Sequence, residues 1–425
     1  MFHHFPGSAR CALLLAGVSV ALLGGCLPPT TASPNKGPVA PPTAVASRLA
    51  EASPSGQHGA SLSASPSTTP QPTAVQSAEP ATVTMREAWG SITVRSFSTA
   101  IGNDRFFNWQ HAATPDGLWL VGTNVPRKFL GTTQASYAVL RNVETGQLRM
   151  MATLATPQSQ ILEASADDRW VVWSEADGPD FFDWRIEAFD RTTNTVHEVA
   201  HAVQADGAAV PGPEAWPVVS GDRVIWSQAM AAMQPGGSTI GNAAVRLANL
   251  TTGAITTITT GATAPALAWP WATWQTGNAT QLWIESRNLV TGQDSKTPGA
   301  FAELSMAGRS IVYNDPDSLS LFLVSDVAAD SKPVVLLTST DVTDHLQWPT
   351  LNDRLVAWAQ DSTTQVFDRA QRRFVTLPVT GLSAAFVAGP LLVWSSAIAG
   401  QSPAPATEAI EQLNFIDVRS LPTGP

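Results

Sequence analysis

The chain has 425 residues, and 24 lysines and arginines against 34 aspartates and glutamates give it a formal net charge of −10. Nucleic-acid binding is disfavoured on that balance, because neutralising phosphates needs concentrated positive charge and no basic stripe occurs along the chain. The two cysteines, Cys11 and Cys26, both lie near the N-terminus, so the long remainder carries no disulfide and no thiol chemistry and depends on packing for its stability.

The first element in chain order is residues 1–25. A polar start closes at Arg10, an apolar run extends from Cys11 to Leu23, and "LLGGC" follows at 22–26. The run is too short for a durable membrane span, which takes roughly 20 residues, so it reads as an export signal that is cut away. Small residues at Gly24 and Gly25 followed directly by Cys26 resemble the bacterial lipoprotein signal. The resemblance implies lipidation of Cys26 and a membrane partnership through that anchor. Leu27 stands where an aspartate would resemble an inner-membrane retention signal. The expected location is therefore the outer face of the cell membrane, or the outer membrane in a two-membrane bacterium.

Residues 26–85 hold "PPTTASPNKGPVAPPTAVAS" and "SASPSTTPQPTAVQS", with eleven prolines between Pro28 and Pro80. Such a composition cannot bury a core, and it predicts a disordered tether rich in Pro, Ser and Thr. As a mixed polyproline and coil segment it would average on the order of 45 Å end to end.

From residue 86 the chain alternates β-branched and aromatic residues with no helical periodicity of useful length, which predicts an all-β body over 86–425. A short phrase recurs: "ADDRWVVWSE" at 166–175, "SGDRVIWSQ" at 220–228 and "LNDRLVAWAQ" at 351–360. Aligning it gives anchors at Gly122, Trp173, Trp226, Trp274, Tyr313, Trp358 and Trp394, at a mean spacing of about 45 residues. Each anchor precedes a second strand ending in Asn142, Asp190, Asn249, Asn288, Asp326, Asp368 or Asp417. A short carbonyl side chain there can bond the backbone of the next turn, and "NVETGQ", "NLTTGA" and "NLVTGQ" carry the turn's glycine. A period of about 45 with four strands per unit predicts a seven-bladed β-propeller. The repeat resembles that of the TolB-type propellers, with "TPDG" at 114–117 and fragments at 220–223 and 352–354. That resemblance is one of pattern and assigns no functional residue. The last repeat ends in "VRSLPTGP", too short for an outer strand, so "SITVRSF" at 91–97 is expected to supply it and close the ring.

The mature chain keeps His58, His111, His197, His201 and His345, scattered over separate repeats, and "DGPDFFD" at 177–183 lacks the alternating ligands of a calcium loop, so no metal and no cofactor is expected. "GGSTIG" at 236–241 has the wrong spacing for a nucleophile elbow, and no catalytic residue is assigned. The tryptophans at the anchors read as core, and Trp216 and Trp348, each followed by proline, read as structural too. The connection after the anchor strand is long in four consecutive repeats: the seventh, first, second and third. It places Arg127, Lys128 and Phe129, then Asp177, Asp180, Phe181, Phe182 and Asp183, then Met230 and Met233, on what would be one face. The expected function is a surface binding or scaffold module for an envelope protein or a polysaccharide, acting as a monomer. The alternative is a propeller lyase or glycosidase acting on extracellular polysaccharide.

Overall fold

The structure, a computed structural model, describes residues 80–127, 133–177, 183–202, 216–230, 242–278, 281–301, 303–315, 318–329, 331–340, 346–360, 364–379, 384–397 and 411–423. Cys26 and most of the expected tether lie outside them. Among the described residues the strands form seven antiparallel-meander sheets, each built in chain order from its inner to its outer strand. The first runs Arg105–Ala113, Trp119–Pro126, Tyr137–Asn142 and Leu148–Thr153, with a two-residue strand, Ala100–Ile101, on its inner edge. The inner strands then follow at Gln160–Ala166, Val218–Ser220, Ala262–Ala268, Glu303–Ala307, Leu346–Leu351 and Ala385–Ala388. Inner strands of neighbouring sheets pack side by side, and Ala385–Ala388 meets Arg105–Ala113 again. The sheets thus close a ring. The fold is a seven-bladed β-propeller.

The anchors explain why the ring holds. Trp173, Trp226, Trp274 and Trp358 have no more than 1 % of their surface exposed, as does Trp394, and Tyr313 has 3 %. Each packs on the preceding blade: Trp173 on Leu140 of blade one, Trp226 on Ile186 of blade two, Trp358 on Leu321 of blade five, and Trp394 on Val366 of blade six. A wedge-shaped gap between twisted sheets takes the largest side chain available, and a buried indole fills it. Blade one has Gly122 at that position. A Cβ there would lie 2.5 Å from the Phe107 ring, because Phe107, from the inner strand, fills the wedge and packs on Val393, Leu413 and Phe415 of blade seven.

The seven turn residues at the ends of the third strands behave alike. Asn142 accepts from the N–H groups of Glu144 and Thr145 at 3.0 and 2.9 Å, and Asn249 and Asn288 repeat the pattern, as do Asp190 and Asp368. Asp326 and Asp417 each take the N–H two residues on. Arginines bind these turns into the ring: Arg169 reaches Asp190 at 2.6 Å and holds its carboxyl well below the usual carboxylate range, and Arg354 reaches Asp368 at 2.8 Å. Arg191 of blade two bonds Asp116 of blade one at 2.9 Å, and Arg369 of blade six bonds Ser310 of blade five at 2.8 Å.

Closure uses the N-terminal side of the propeller. Arg95–Ser98 pairs antiparallel with Glu411–Asp417 as the outer strand of blade seven, with Phe97 opposite Leu413. The paired segment covers only the second half of 91–97 and runs one residue beyond it, since residues 91–94 are not in a strand. Arg141 stacks 4.0 Å from the centroid of the Phe97 ring. The propeller body also begins earlier than residue 86: Thr82–Thr84 adds a parallel fifth strand to blade six along Phe374–Thr376. Three residues beside proline-rich sequence are too few to read as a strand. Thr84 then caps the short helix Met85–Trp89 through a reciprocal bond with Glu87. Trp89 is 3 % exposed and donates its indole N–H to Asp368 at 2.9 Å.

Deleting residues 80–98 should strip two outer edges and the Trp89 contact at once, lowering the melting temperature by about 10 °C or more. Deleting 30–75 should leave it unchanged. Equal melting temperatures for the two truncations would remove the case that this segment closes the ring.

Candidate functional site

In an antiparallel blade, successive connections emerge at alternate ends. The "TPDG" and Thr-Gly turns therefore share one face, and the connections after each second and fourth strand share the other. On that second face the strand ends leave wide gaps at Pro126–Tyr137, Ala176–Arg185, Ala229–Ala243 and Ala397–Glu411, against Asn278–Gln281, Asp315–Ser320 and Gln360–Gln365 elsewhere. The wide gaps belong to blades one, two, three and seven, which are consecutive around the ring. Of the residues read as a binding face, Lys128, Phe129, Asp180, Phe181, Phe182 and Met233 lie outside the described residues. Asp177 and Asp183 are brought together, the N–H of Asp177 donating to Asp183 Oδ1 at 3.0 Å. Asp177 also accepts from Ser159 Oγ at 2.5 Å and pairs with Arg185, which lies 3.9 Å from Glu175. The N–H of Arg127 donates to the Asp104 carbonyl at 2.8 Å, within its own blade. Met230, in blade three, is 44 % exposed.

A second cluster lies on the ring axis. Four inner strands break register at Trp109/Ala112, Ile161/Glu163, Thr263/Ala266 and Gln347/Thr350, and such bulges re-aim side chains. His111, Ala264 and Trp348 sit in the breaks at positive φ, 54°, 49° and 48°. The His111 ring stacks on Phe386 of blade seven with centroids 3.8 Å apart and planes 10° from parallel. Trp109 meets Phe386 edge-on at 5.6 Å, and Trp348 lies 6.3 Å from both His111 and Phe386. The backbone N–H of Trp348 donates to Glu303 of blade five, whose carboxylate also accepts from Asn314 Nδ2 at 3.3 Å. Blade two contributes Glu163, whose carboxyl feels the negative charge of Glu303.

The electrostatics follow from enclosure. Burial pushes the Glu163 carboxyl up to about 8, and the negative charge of Glu303 adds to the effect. Its surface is half-buried, and the surrounding protein solvates its anion poorly. Apart from the N–H of Ala164, no group among the described residues stabilises the Glu163 anion by a hydrogen bond or an ion pair. Burial holds the His111 imidazole down to about 4, so the ring stays neutral at physiological pH. Among the described residues no group of three or more His, Cys, Asp or Glu is placed to hold a metal ion.

No protein-family model matches the chain, and no curated protein matches it. Solved structures do. One of two prolyl endopeptidases is 14 % identical with a TM-score of 0.49, covering 76 % of this chain but only 48 % of its own. The propeller domain of the Trilobed protease from Pyrococcus furiosus is 8 % identical with a TM-score of 0.46, covering 74 % of this chain and 94 % of its own. TolB from Acinetobacter baumannii is 12 % identical with a TM-score of 0.38, covering 66 % of this chain and 76 % of its own. The likeness is one of fold alone.

Sequence reasoning placed Trp348 with the structural tryptophans, treated His111 as one scattered histidine, and passed over Glu163, Glu303 and Phe386. One signal was present: "WP" at 348–349 puts a residue without an N–H inside an inner strand, where it marks a bulge.

Glu163 gives a pH test of this placement. Folded, it keeps its proton up to about pH 8, while the unfolded chain gives it up near 4.5. Its burial therefore costs nothing below pH 4.5 and progressively more as the pH rises towards 8. Glu163→Gln should match wild type in thermal melts at pH 4.5 and exceed it at pH 7 by on the order of 2–3 kcal/mol. An advantage independent of pH would show that Glu163 is not enclosed as described.

Proposed function

We propose that the chain is a cell-surface lipoprotein, tethered through Cys26, whose propeller is a binding or scaffold module for an envelope protein or glycan partner. The observation that carries the binding role is the axial cluster. Enclosed polar groups such as Glu163 and His111 cost stability, and a folded chain keeps such groups where a ligand completes them. The cluster offers flat aromatic faces, a carboxyl and an imidazole, and no nucleophile hydrogen-bonded to a base accompanies them among the described residues. The long connections of blades seven, one, two and three supply a second surface on which a macromolecular partner could dock, including Phe181 and Phe182.

A second reading has one specific observation in its favour. A carboxyl raised to about 8 beside a second carboxylate matches the general acid and its partner in polysaccharide-cleaving enzymes. In that reading Glu163 is the acid and Glu303 the partner carboxylate.

Wild type should incorporate labelled palmitate and fractionate with membranes, while Cys26→Ser should do neither. Membrane-bound, unlabelled wild type would end the lipoprotein assignment. The soluble Cys26→Ser chain, immobilised, should recover a partner from the native envelope, and adding Phe181→Ser and Phe182→Ser should reduce that recovery at least tenfold. Unchanged recovery would place the docking surface elsewhere. Release of new reducing ends or unsaturated sugars from envelope polysaccharide, abolished by Glu163→Gln, would favour the enzyme instead.

A further inference from the structure

We propose that the turn face of blades four to six is a seat for an anionic lipid surface, so that the propeller stands with its long connections directed away from the membrane. The inference rests on the lipid-anchor reading above and adds which face of the body meets the bilayer.

Three observations on this face converge. The first is apolar exposure. In blade four the turn between the first two strands carries Trp269, 39 % exposed, and the turn between the last two carries Val290, 67 % exposed. The Leu289 N–H donates to the Pro270 carbonyl at 2.8 Å, which joins the two turns into one tip. In blade five the outer strand Val334–Thr338 starts from the same face with Val334 and Val335 exposed. Blades four, five and six follow one another around the ring, their inner strands in contact.

The second is charge. Lys332, just before that outer strand, and Arg372 and Arg373, where the fourth strand of blade six begins, pair with no carboxylate among the described residues. Arg369, in the same turn, is bonded to Ser310 and the Asn352 carbonyl, and the charge of the exposed Asp353 acts on it. The turn arginines of blades seven, two and three are paired instead, Arg419 with Asp417, Arg169 with Asp190 and Arg223 with Asp222. The described turn cations left without a carboxylate therefore gather on blades five and six.

The third is where the tether joins. The outer strand of blade six leaves the turn face at Arg373, Thr82–Thr84 runs parallel to it, and the Ala81 carbonyl accepts from the Phe374 N–H at 3.0 Å. The chain from Cys26 therefore reaches the propeller at the arginine-bearing corner of this face. A tether with a mean span on the order of 45 Å lets that corner settle onto the bilayer that holds the lipid.

The combination selects a lipid surface over other anions. Indole and branched aliphatic side chains gain from the boundary between headgroups and acyl chains and gain little from a hydrated polyanion, while lysine and arginine are drawn to anionic headgroups. Net charge sets the orientation. A chain carrying −10 is repelled by an anionic bilayer on most approaches, and attraction is short-ranged in salt, so this arc is the part that comes to rest there. The connections of blades seven, one, two and three then leave from the opposite face.

The test is co-sedimentation of the mature chain, residues 26–425 with Cys26→Ser, with vesicles of phosphatidylcholine alone or with about one third phosphatidylglycerol. Neither the apolar run at 11–23 nor a lipid then contributes. Binding to the mixed vesicles should be at least tenfold tighter than to the neutral ones, and should fall at least tenfold between 50 mM and 500 mM salt. Lys332→Glu, Arg372→Glu and Arg373→Glu together should weaken it at least tenfold, and Trp269→Ser with Val290→Ser at least threefold, with melting temperatures unchanged. This chain has no cysteine, so a polarity-sensitive dye on Val290→Cys reports that site alone. Its emission should shift to the blue on mixed vesicles, and the same dye on Met230→Cys, on the opposite face, should not. No binding at 1 mM lipid, equal binding by the charge-reversed variant, or a blue shift at 230 in place of 290 would overturn the inference. Retention on heparin without vesicle binding would make the arc a seat for an acidic polymer and overturns it too. Palmitate labelling is read separately: absence of vesicle binding with Cys26 lipidated sinks only the docking face, whereas an unlipidated wild type sinks the anchor and leaves a vesicle-binding face standing.

Discussion

A four-stranded twisted sheet has two apolar faces and no layer of its own to cover either. The constraint on which this molecule depends is that each blade covers the next. The bulky residue on the second strand does most of this, and because it always packs backwards, onto the blade before it, the set is satisfied only when the last blade covers the first. Phe107 makes that final contact from a different strand, since Gly122 leaves the usual position empty and the Phe107 ring occupies it. Removing one such indole would cost about 3–5 kcal/mol at its own junction.

Polar contacts run around the ring on the same principle. The Asx turns satisfy their own backbone groups, which frees the arginines beside them to reach across junctions, as Arg191 does to Asp116 and Arg419 to the Asp116 carbonyl at 3.0 Å. Both junctions beside blade one are therefore tied on the turn face. The segment 80–98 works at the outer rim, where it adds an edge to blade six and completes blade seven. Chain closure is thus shared between a strand on one blade and a strand and indole on its neighbour.

The repeat was legible in the sequence because it is imposed by burial. Trp173, Trp226, Trp274, Trp358 and Trp394 must be large, and Asn142 or Asp190 must carry a short carbonyl, whatever the rest of the blade does. Blade number and strand order follow from those positions. The axial cluster was not legible, for an equally physical reason. Its members come from five blades and from different places in the repeat: His111 and Trp348 sit in bulges, Glu303 opens a strand, and Glu163 and Phe386 lie within theirs. A break in register moves a side chain from one face of the strand to the other, so alternation misassigns the residues that face the axis. Thr82–Thr84 escaped for a simpler reason, since its pairing partner, Phe374–Thr376, is nearly three hundred residues away.

The two halves of this arrangement depend on each other. The inner strands carry part of the core, with Ala112, Ile161, Leu346 and Val387 buried, and yet accept bulges, positive φ at His111 and Trp348, and a half-buried carboxyl at Glu163. Those features cost stability locally, and the closed ring around them supplies the rigidity that keeps them in place. A ligand on the axis would touch side chains of blades one, two, five, six and seven together. Since neighbouring blades cannot shift independently without opening a tryptophan-filled junction, the groups that meet such a ligand are already positioned before it arrives, and little ordering cost is left to offset binding.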